Sequence, residues 1–283
     1  MLTPDSGRAR LTVLLLETLL PLLLSVTLIA LLVDTLVNRV DARELRLNTL
    51  LMGTRPIRVL GDAELFAYAL GSSLVLLVAA VGAAVVVGVP AGVAYASSRN
   101  RVLRAIAWTV GTLGAALPTF FWAVAGELVL IAIFVATGTY VLPRAGFGLD
   151  QHLVLPALAL GIRPAATVFR LTAIAVEEVR HQDYVRTAVA KGLSGARVLV
   201  RHVLPNAAPS ILAAIVLAAR GALSSLAVVE FVYVWGGAGL TFIQAVATRQ
   251  AALAAGLAIA FAVASALLTF AAELARRRVA VTG

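Results

Sequence analysis

The sequence predicts an all-α protein that crosses a membrane six times, and three features of the chain support this fold class. Of its 283 residues, 61% are hydrophobic and only 13% are charged, whereas soluble domains carry about 45–50% apolar and about 25% charged residues. The apolar residues form long uncharged runs, and a membrane-spanning helix needs roughly 20 such residues. Most charged residues lie between these runs. This pattern excludes an ordinary soluble enzyme and a disordered chain.

The predicted spans follow one another from the amino terminus. The first covers residues 11–33, and we interpret it as a span because it is long and no small-residue cleavage site of a signal peptide follows it. A polar segment, 34–64, is predicted to lie outside the membrane. The other spans cover residues 66–96, 105–142, 153–179, 207–234 and 251–272. We therefore divide the chain into an N-terminal part, 1–65, and a transmembrane domain, 66–278.

The distribution of basic residues predicts the orientation of the chain. Six spans place both termini on one side of the membrane, and cytoplasmic loops of membrane proteins are enriched in lysine and arginine. If the termini are cytoplasmic, the inner segments hold nearly twice as many basic residues as the outer segments. Both termini are therefore predicted to be cytoplasmic. No nucleic-acid partner is expected, because the basic residues lie between the spans and do not form one patch.

Several kinds of chemistry are excluded by the residues that the chain lacks. There is no cysteine, so disulfides, thiolate catalysis and thiolate metal ligands cannot occur. His152, His181 and His202 lie outside the predicted spans, which argues against an intramembrane hydrolase or a metal site. The only lysine, Lys191, precedes a glycine, so the chain has no phosphate-binding loop ending in Gly-Lys-Ser/Thr. We predict no catalytic residue and no cofactor in this chain.

The polar segment between the fourth and fifth predicted spans, residues 180–206, is the most informative part of the sequence. We expect a short helix that ends at Gly192, because a helix end often requires a left-handed residue. Ser194 is a suitable N-cap for a second short amphipathic helix, which Pro205 is expected to end before the next span. The individual arginines also fit a solvated cytoplasmic loop, but the spacing of the whole segment is more specific.

The order of residues in this segment resembles the cytoplasmic EAA loop of ABC importer permeases. Residues 183–194 read Asp-Tyr-Val-Arg-Thr-Ala-Val-Ala-Lys-Gly-Leu-Ser, which is similar to the form found in the subfamily that imports dipeptides, oligopeptides and nickel. The leading glutamate of the loop is replaced by Arg186. The resemblance implies that the residues coupling the chain to an ATPase are Asp183, Tyr184, Arg186, Thr187, Ala188, Lys191, Gly192, Leu193, Ser194, Leu204 and Pro205.

Further motifs extend the resemblance over residues 70–278 to the first of two permease subunits in such importers. They include Leu-Pro-Thr-Phe-Phe-Trp at 117–122 and Glu-Phe-Val-Tyr at 230–233. The resemblance implies a type I ABC importer permease fold with a cytoplasmic coupling helix between helices 4 and 5, located in the bacterial plasma (inner) membrane. The implied partners are a second homologous permease, two cytoplasmic ATPase subunits carrying ATP and Mg²⁺, an extracytoplasmic substrate-binding protein and the lipid membrane.

The expected function is therefore that of a permease subunit for peptides or related small solutes, and the sequence leaves peptide and nickel cargo open. The alternative is a gradient-driven secondary transporter that acts without an ATPase. Such a transporter is expected to contain inverted repeats with broken helices in matching places. We find no such repeat in the sequence.

Charged residues inside the predicted spans mark a candidate translocation path. A charge at mid-bilayer costs about 2.5–3.5 kcal/mol on insertion scales. Arg170 lies close enough to the cytoplasmic end of its span to reach the interface. For Glu127, Arg163 and Arg220, two interpretations are open. Either they line the path, or Glu127 forms a structural ion pair with one of the two arginines.

Overall fold

The computed structural model describes the backbone of residues 62–282 and the side chains of residues 63–274. The first predicted span, 11–33, lies outside the described residues. The described helices are α1 (Asp62–Ser97), α2 (Arg101–Ala116), α3 (Thr119–Thr137), α4 (Val154–Arg180), α5 (Asp183–Ala190), α6 (Gly195–Val198), α7 (Leu204–Tyr233), α8 (Ala238–Ala247) and α9 (Ala251–Thr282). A 3₁₀ turn, Gln151–Leu153, precedes α4, and a π-helical turn, Leu199–Val203, joins α6 to α7.

The part of the chain that the structure describes is all-helical, as predicted. Five of its helical stretches are long and apolar enough to cross a membrane. Each overlaps one of the second to sixth predicted spans, and they are Ala63–Ser97, Thr119–Thr137, Gln151–Arg180, Gly195–Tyr233 and Ala251–Leu274.

The third predicted span, 105–142, is two helices and not one. Leu117 and Pro118 are both extended, with ψ angles of 137° and 150°, so α2 ends before them and α3 begins after them. The physical reason is the proline ring, which disfavours helical backbone at the preceding residue. Only α3 has the length and hydropathy of a span. α2 packs on α4 through Gly111 and Gly114, which are buried.

α1 and α4 cross at very short distance, and glycines make this possible. A Cβ on Gly88 would lie 2.8 Å from the carbonyl oxygen of Ala165, and a Cβ on Gly92 would lie 2.7 Å from that of Phe169. Small residues let helix backbones approach closely in membranes, where packing replaces the hydrophobic effect as the main attraction between helices. The Gly88–Gly92 crossing therefore fixes α1 against α4.

The described chain divides into two compact units. One contains residues 62–73 and 236–270, and its core includes Leu65, Ala69 and Leu257. In this unit the backbone amide of Ala238, at the start of α8, donates a 2.8 Å hydrogen bond to the hydroxyl of Ser73. The other unit contains residues 74–235 and 271–282. It holds every site residue predicted from the sequence.

Candidate functional site

The short helix α5 lies between the two long helices α4 and α7 and buries one of its faces. Val185 and Ala188 are three positions apart, so they share a face of the helix, and both are buried. They belong to an apolar cluster with Val176 of α4 and Ala207 of α7. We call this group the α5 cluster; its buried members are Ala96, Ala175, Val176, Val185, Ala188, Val198, Val203, Ala207 and Ile211.

The opposite face of α5 is open to the surroundings. Tyr184 and Val189 flank the buried stripe of Val185 and Ala188 and are 45% and 57% exposed. Asp183 and Arg186 are also exposed, and their side chains form an ion pair at 3.7 Å, a kind of surface pair that contributes little to stability. The hydroxyl of Thr187 donates to the carbonyl of Asp183 at 2.9 Å. The helix therefore exposes a mixed apolar and charged surface, while its buried face is fixed by the α5 cluster.

The chain leaves α5 through a tight turn at Gly192, which confirms the predicted glycine break. Gly192 has φ of +80°, the left-handed conformation that glycine adopts without steric cost. The amide of Gly192 donates to the carbonyl of Val189 at 2.9 Å, and the amide of Leu193 donates to that of Ala188 at 3.4 Å. These two bonds form a Schellman motif, in which the last carbonyls of the helix are satisfied. The half-buried Leu193 packs against the α5 cluster.

The second short helix differs from the prediction. Ser194 does stand at the N-cap position of α6 with extended backbone, but its side chain makes no capping hydrogen bond. The expectation that Pro205 ends this helix is wrong, because helical structure continues from Gly195 to Tyr233. In the π-helical turn the amide of Leu204 donates to Leu199, five residues earlier. Pro205 then falls in the first turn of α7, where a missing amide hydrogen is tolerated.

Ionic contacts fix the helix ends that lie beside α5, and the sequence did not predict these pairs. The Arg104 side chain of α2 pairs with Glu177 of α4, and its guanidinium lies 4.6 Å from the ring centre of Tyr95 in α1. Arg180, the last residue of α4, donates to the carbonyl of Ala96 near the end of α1. The sequence signal for these contacts is the acidic pair Glu177 and Glu178, which lies among many arginines and does not indicate which of them is the partner.

Of the charged residues in the candidate path, Glu127 has a partner that the sequence did not indicate. Arg144, in the loop after α3, donates from Nε to a Glu127 carboxylate oxygen at 2.8 Å. The Glu127 side chain is only 15% exposed. The hypothesis that Glu127 pairs with Arg163 or Arg220 is therefore wrong. The reason is that the loop returns onto α3 and supplies a closer cation.

The loop that carries Arg144 is held by further contacts. The rings of Phe134 and Tyr140 stack at 4.2 Å, and the Arg144 guanidinium lies 5.6 Å from the centre of the Tyr140 ring. The amide of Gly146 donates to the carbonyl of Tyr233, the last residue of α7, at 3.0 Å. These contacts place the cation of Arg144 against the carboxylate of Glu127.

The three arginines of the predicted spans differ in their surroundings. The Arg170 guanidinium lies 5.2 Å from the ring centre of Trp108 in α2, a cation–π contact. Arg163 and Arg220 are exposed. Within residues 63–274, neither guanidinium forms a hydrogen bond or an ion pair. Neither of these two arginines therefore pairs with Glu127 in the part of the chain that the structure describes.

Comparison with known proteins identifies the family. The family model described as a binding-protein-dependent transport system inner membrane component matches residues 88–280. The dipeptide transport system permease protein DppB of Bacillus subtilis is 32% identical over 192 residues, which cover 68% of this chain and 61% of the relative. A putative peptide permease protein of Brucella suis is 35% identical over 191 residues, which cover 66% of this chain and 60% of the relative. The chain thus spans about three fifths of the length of these relatives.

A solved structure supports the fold. An inward-facing form of the MetNI methionine ABC transporter superposes with a TM-score of 0.62 at 18% sequence identity, covering 76% of this chain and 96% of that chain. At this identity the likeness concerns the fold alone. Together with the family match over residues 88–280, it shows that the chain belongs to the family of inner membrane components of binding-protein-dependent transport systems and has the fold of an ABC transporter permease.

Proposed function

We propose that the chain is a permease subunit of an ATP-binding-cassette importer and forms part of the path for peptides. The observation that carries this proposal is α5, a short helix with an open outer face and an inner face fixed between two spans. Its sequence has the pattern expected for coupling to an ATPase. The peptide cargo is proposed because relatives about one third identical are described as peptide permeases.

The packing of α5 explains how a movement of a partner ATPase would reach the spans. Val185 and Ala188 of α5 share one core with Val176 of α4 and Ala207 of α7. Tightly packed interiors transmit displacement and do not absorb it. The helical stretch that begins at Gly195 continues to Tyr233. A partner that moves the outer face of α5 therefore moves α4 and α7 with it.

The proposed assembly contains this chain, a second homologous permease, two cytoplasmic ATPase subunits that bind ATP and Mg²⁺, and an extracytoplasmic binding protein. We place the α5 end in the cytoplasm and, with it, both termini. The support is the cluster of basic residues at this end, in the α1–α2 connection and around α5, as expected from the preference of lysine and arginine for the cytoplasmic side. These residues are Arg99, Arg101, Arg104, Arg180, Arg186, Lys191, Arg197 and Arg201.

The test is to express the chain together with permease, ATPase and binding-protein genes from the same genome. We expect the ATPase subunits to co-purify with this chain. We also expect the reconstituted complex to take up a radiolabelled dipeptide only when ATP is present on the side of the membrane that holds the ATPase subunits. A complex whose ATPase subunits cannot hydrolyse ATP is the matched control. Peptide uptake that needs an ion gradient and no ATPase would refute the proposal and support a secondary transporter.

A further inference from the structure

Arg163 and Arg220 are two intramembrane cations for which the described structure provides no counter-ion. Two carboxylates of the same unit have other partners, since Glu127 pairs with Arg144 and Glu177 pairs with Arg104. Both arginines are exposed on the described chain. A guanidinium that faced hydrocarbon at mid-depth would cost a few kcal/mol. Their retention as exposed, unpaired groups therefore indicates a polar environment beside α4 and α7.

The two arginines lie at the same depth. Arg163 lies 17 residues before Arg180, the end of α4, and Arg220 lies 16 residues after Leu204, the start of α7. These two helix ends meet in the α5 cluster. At 1.5 Å per residue, both arginines are about 25 Å from that end. Because the side chain of an arginine reaches only several ångströms toward an interface, Arg220, near the middle of α7, remains inside the membrane.

One polar side chain lies a single turn after each arginine on the same helix. Arg220 is followed by Gly221 and Ser224, which are exposed like it, and the hydroxyl of Ser224 donates to the carbonyl of Gly221 at 2.8 Å. Arg163 is followed one turn later by Thr167, whose hydroxyl donates to the carbonyl of Arg163 at 3.0 Å. Residues four apart on a helix lie on one face. Polar groups thus extend along the helix from each arginine.

We propose that Arg163 and Arg220 form an anion-binding pair in the translocation path, which receives carboxylates of the cargo. This inference rests on the proposed function. α4 and α7 pack against each other, and packed helices lie about 8–10 Å apart, so two arginines at equal depth add their positive potentials where both face one cavity. Low-dielectric walls strengthen such a potential. A guanidinium also matches a carboxylate geometrically, through two parallel hydrogen bonds.

The experiment compares three dipeptides, Ala-Glu, Ala-Gln and Ala-Lys, in ATP-driven uptake by the full reconstituted transporter. The variants are Arg163→Gln and Arg220→Gln, and Arg99→Gln is the matched control because Arg99 is an exposed arginine outside the helices. One binding protein serves all variants, so its own preference cancels in the comparison. We expect each path variant to lower the Ala-Glu to Ala-Gln uptake ratio about tenfold, the effect of one unit charge at roughly 10 Å in protein, and to lower the Ala-Glu to Ala-Lys ratio further. Arg99→Gln should leave both ratios unchanged.

The outcomes separate this inference from the proposed function. If the wild-type complex imports Ala-Gln with ATP but both uptake ratios are the same in all variants, the anion-binding pair is refuted and the permease function stands. If the wild-type complex imports none of the dipeptides, the proposed function fails and the inference with it. A fall in the abundance of Arg163→Gln or Arg220→Gln would also refute the inference. Removing an unpaired mid-span charge should not impair insertion, so such a fall would reveal a structural partner.

Discussion

Gly192 is the residue on which the shape of the proposed coupling site depends most directly. Its left-handed backbone lets Leu193 return to the α5 cluster while α5 keeps its outer face free. Nothing lies within 4 Å of a Cβ placed at this position, so a substitution strains the backbone and does not cause a clash. The cost of a left-handed conformation for an ordinary residue is roughly 1–2 kcal/mol.

The first prediction concerns this strain. We expect Gly192→Ala to reduce ATP-driven uptake several-fold at normal abundance, because the turn relaxes and α5 is displaced. Gly192→Asn should keep most of the uptake, since asparagine tolerates the left-handed region. Gly195→Ala is the matched control, because Gly195 is equally uncrowded but lacks a positive φ. Equal uptake by Gly192→Ala and Gly195→Ala would show that the turn does not matter for coupling.

The second prediction concerns the ion pair of Glu127 and Arg144. The carboxylate of Glu127 is mostly buried, and breaking a buried pair by removing one partner leaves an uncompensated charge. We expect Arg144→Gln to lower the thermal stability of the detergent-solubilised protein and Glu127→Gln to restore part of the loss in the double variant. The two single variants and the double variant form a double-mutant cycle, and its coupling energy should be about 1 kcal/mol or more.

The same cycle with Arg163→Gln in place of Arg144→Gln is the control. Since Arg163 does not contact Glu127 in the structure, the two changes should be additive. A coupling between Glu127 and Arg163 that exceeds the coupling between Glu127 and Arg144 would contradict the pairing described above.

Among single residues, the sequence predicted local features better than distant partners. The turn at Gly192 follows from a glycine at the end of a short helix, a signal contained in a few neighbouring residues. The partner of Glu127 could not be predicted, because Arg144 belongs to a loop outside the span. Only the fold of that loop, held by the contact between Gly146 and Tyr233, brings the two charges together.

At the scale of the helices, the crossing of α1 and α4 supports the position of the coupling site. Gly88 and Gly92 lie against backbone carbonyls of α4, and α4 continues to α5. The third prediction is that Gly92→Ala lowers the melting temperature of the protein, with a loss of about 1–3 kcal/mol from overpacking. Gly82→Ala is the matched control, because nothing lies within 4 Å of a Cβ at Gly82. An equal melting temperature for both variants would mean that α1 and α4 can move apart without a loss of stability.

Hydropathy was sufficient to predict five of the described membrane-crossing helices, because each is a long apolar run that a membrane requires. It did not resolve the interruption at Pro118, since both sides of the break are apolar. The π-helical turn Leu199–Val203 was not predicted either. Its bonds run five residues back, and no residue type is typical of that pattern. The continuation of the helix past Pro205 follows from this turn.

At the scale of the whole molecule, one pair of helices carries both proposed functions. α4 and α7 hold α5 at one end and expose Arg163 and Arg220 farther along. A displacement of α5 and the proposed binding of an anion at the arginines therefore both act on α4 and α7. This arrangement requires that the exposed surface of α5 is the surface that contacts the ATPase.

Photo-cross-linking from single cysteines tests that claim most directly. The chain has no native cysteine, so a cysteine-reactive benzophenone can be placed at one chosen position of the assembled transporter. The chosen positions are Val189→Cys, a 57% exposed position on α5, and Leu149→Cys, a 72% exposed position that precedes the first residue of α4. We predict that the probe at Val189→Cys cross-links to the ATPase subunit and that the probe at Leu149→Cys does not. Cross-linking of the ATPase from Leu149→Cys, or none from Val189→Cys in an intact complex, would contradict the account.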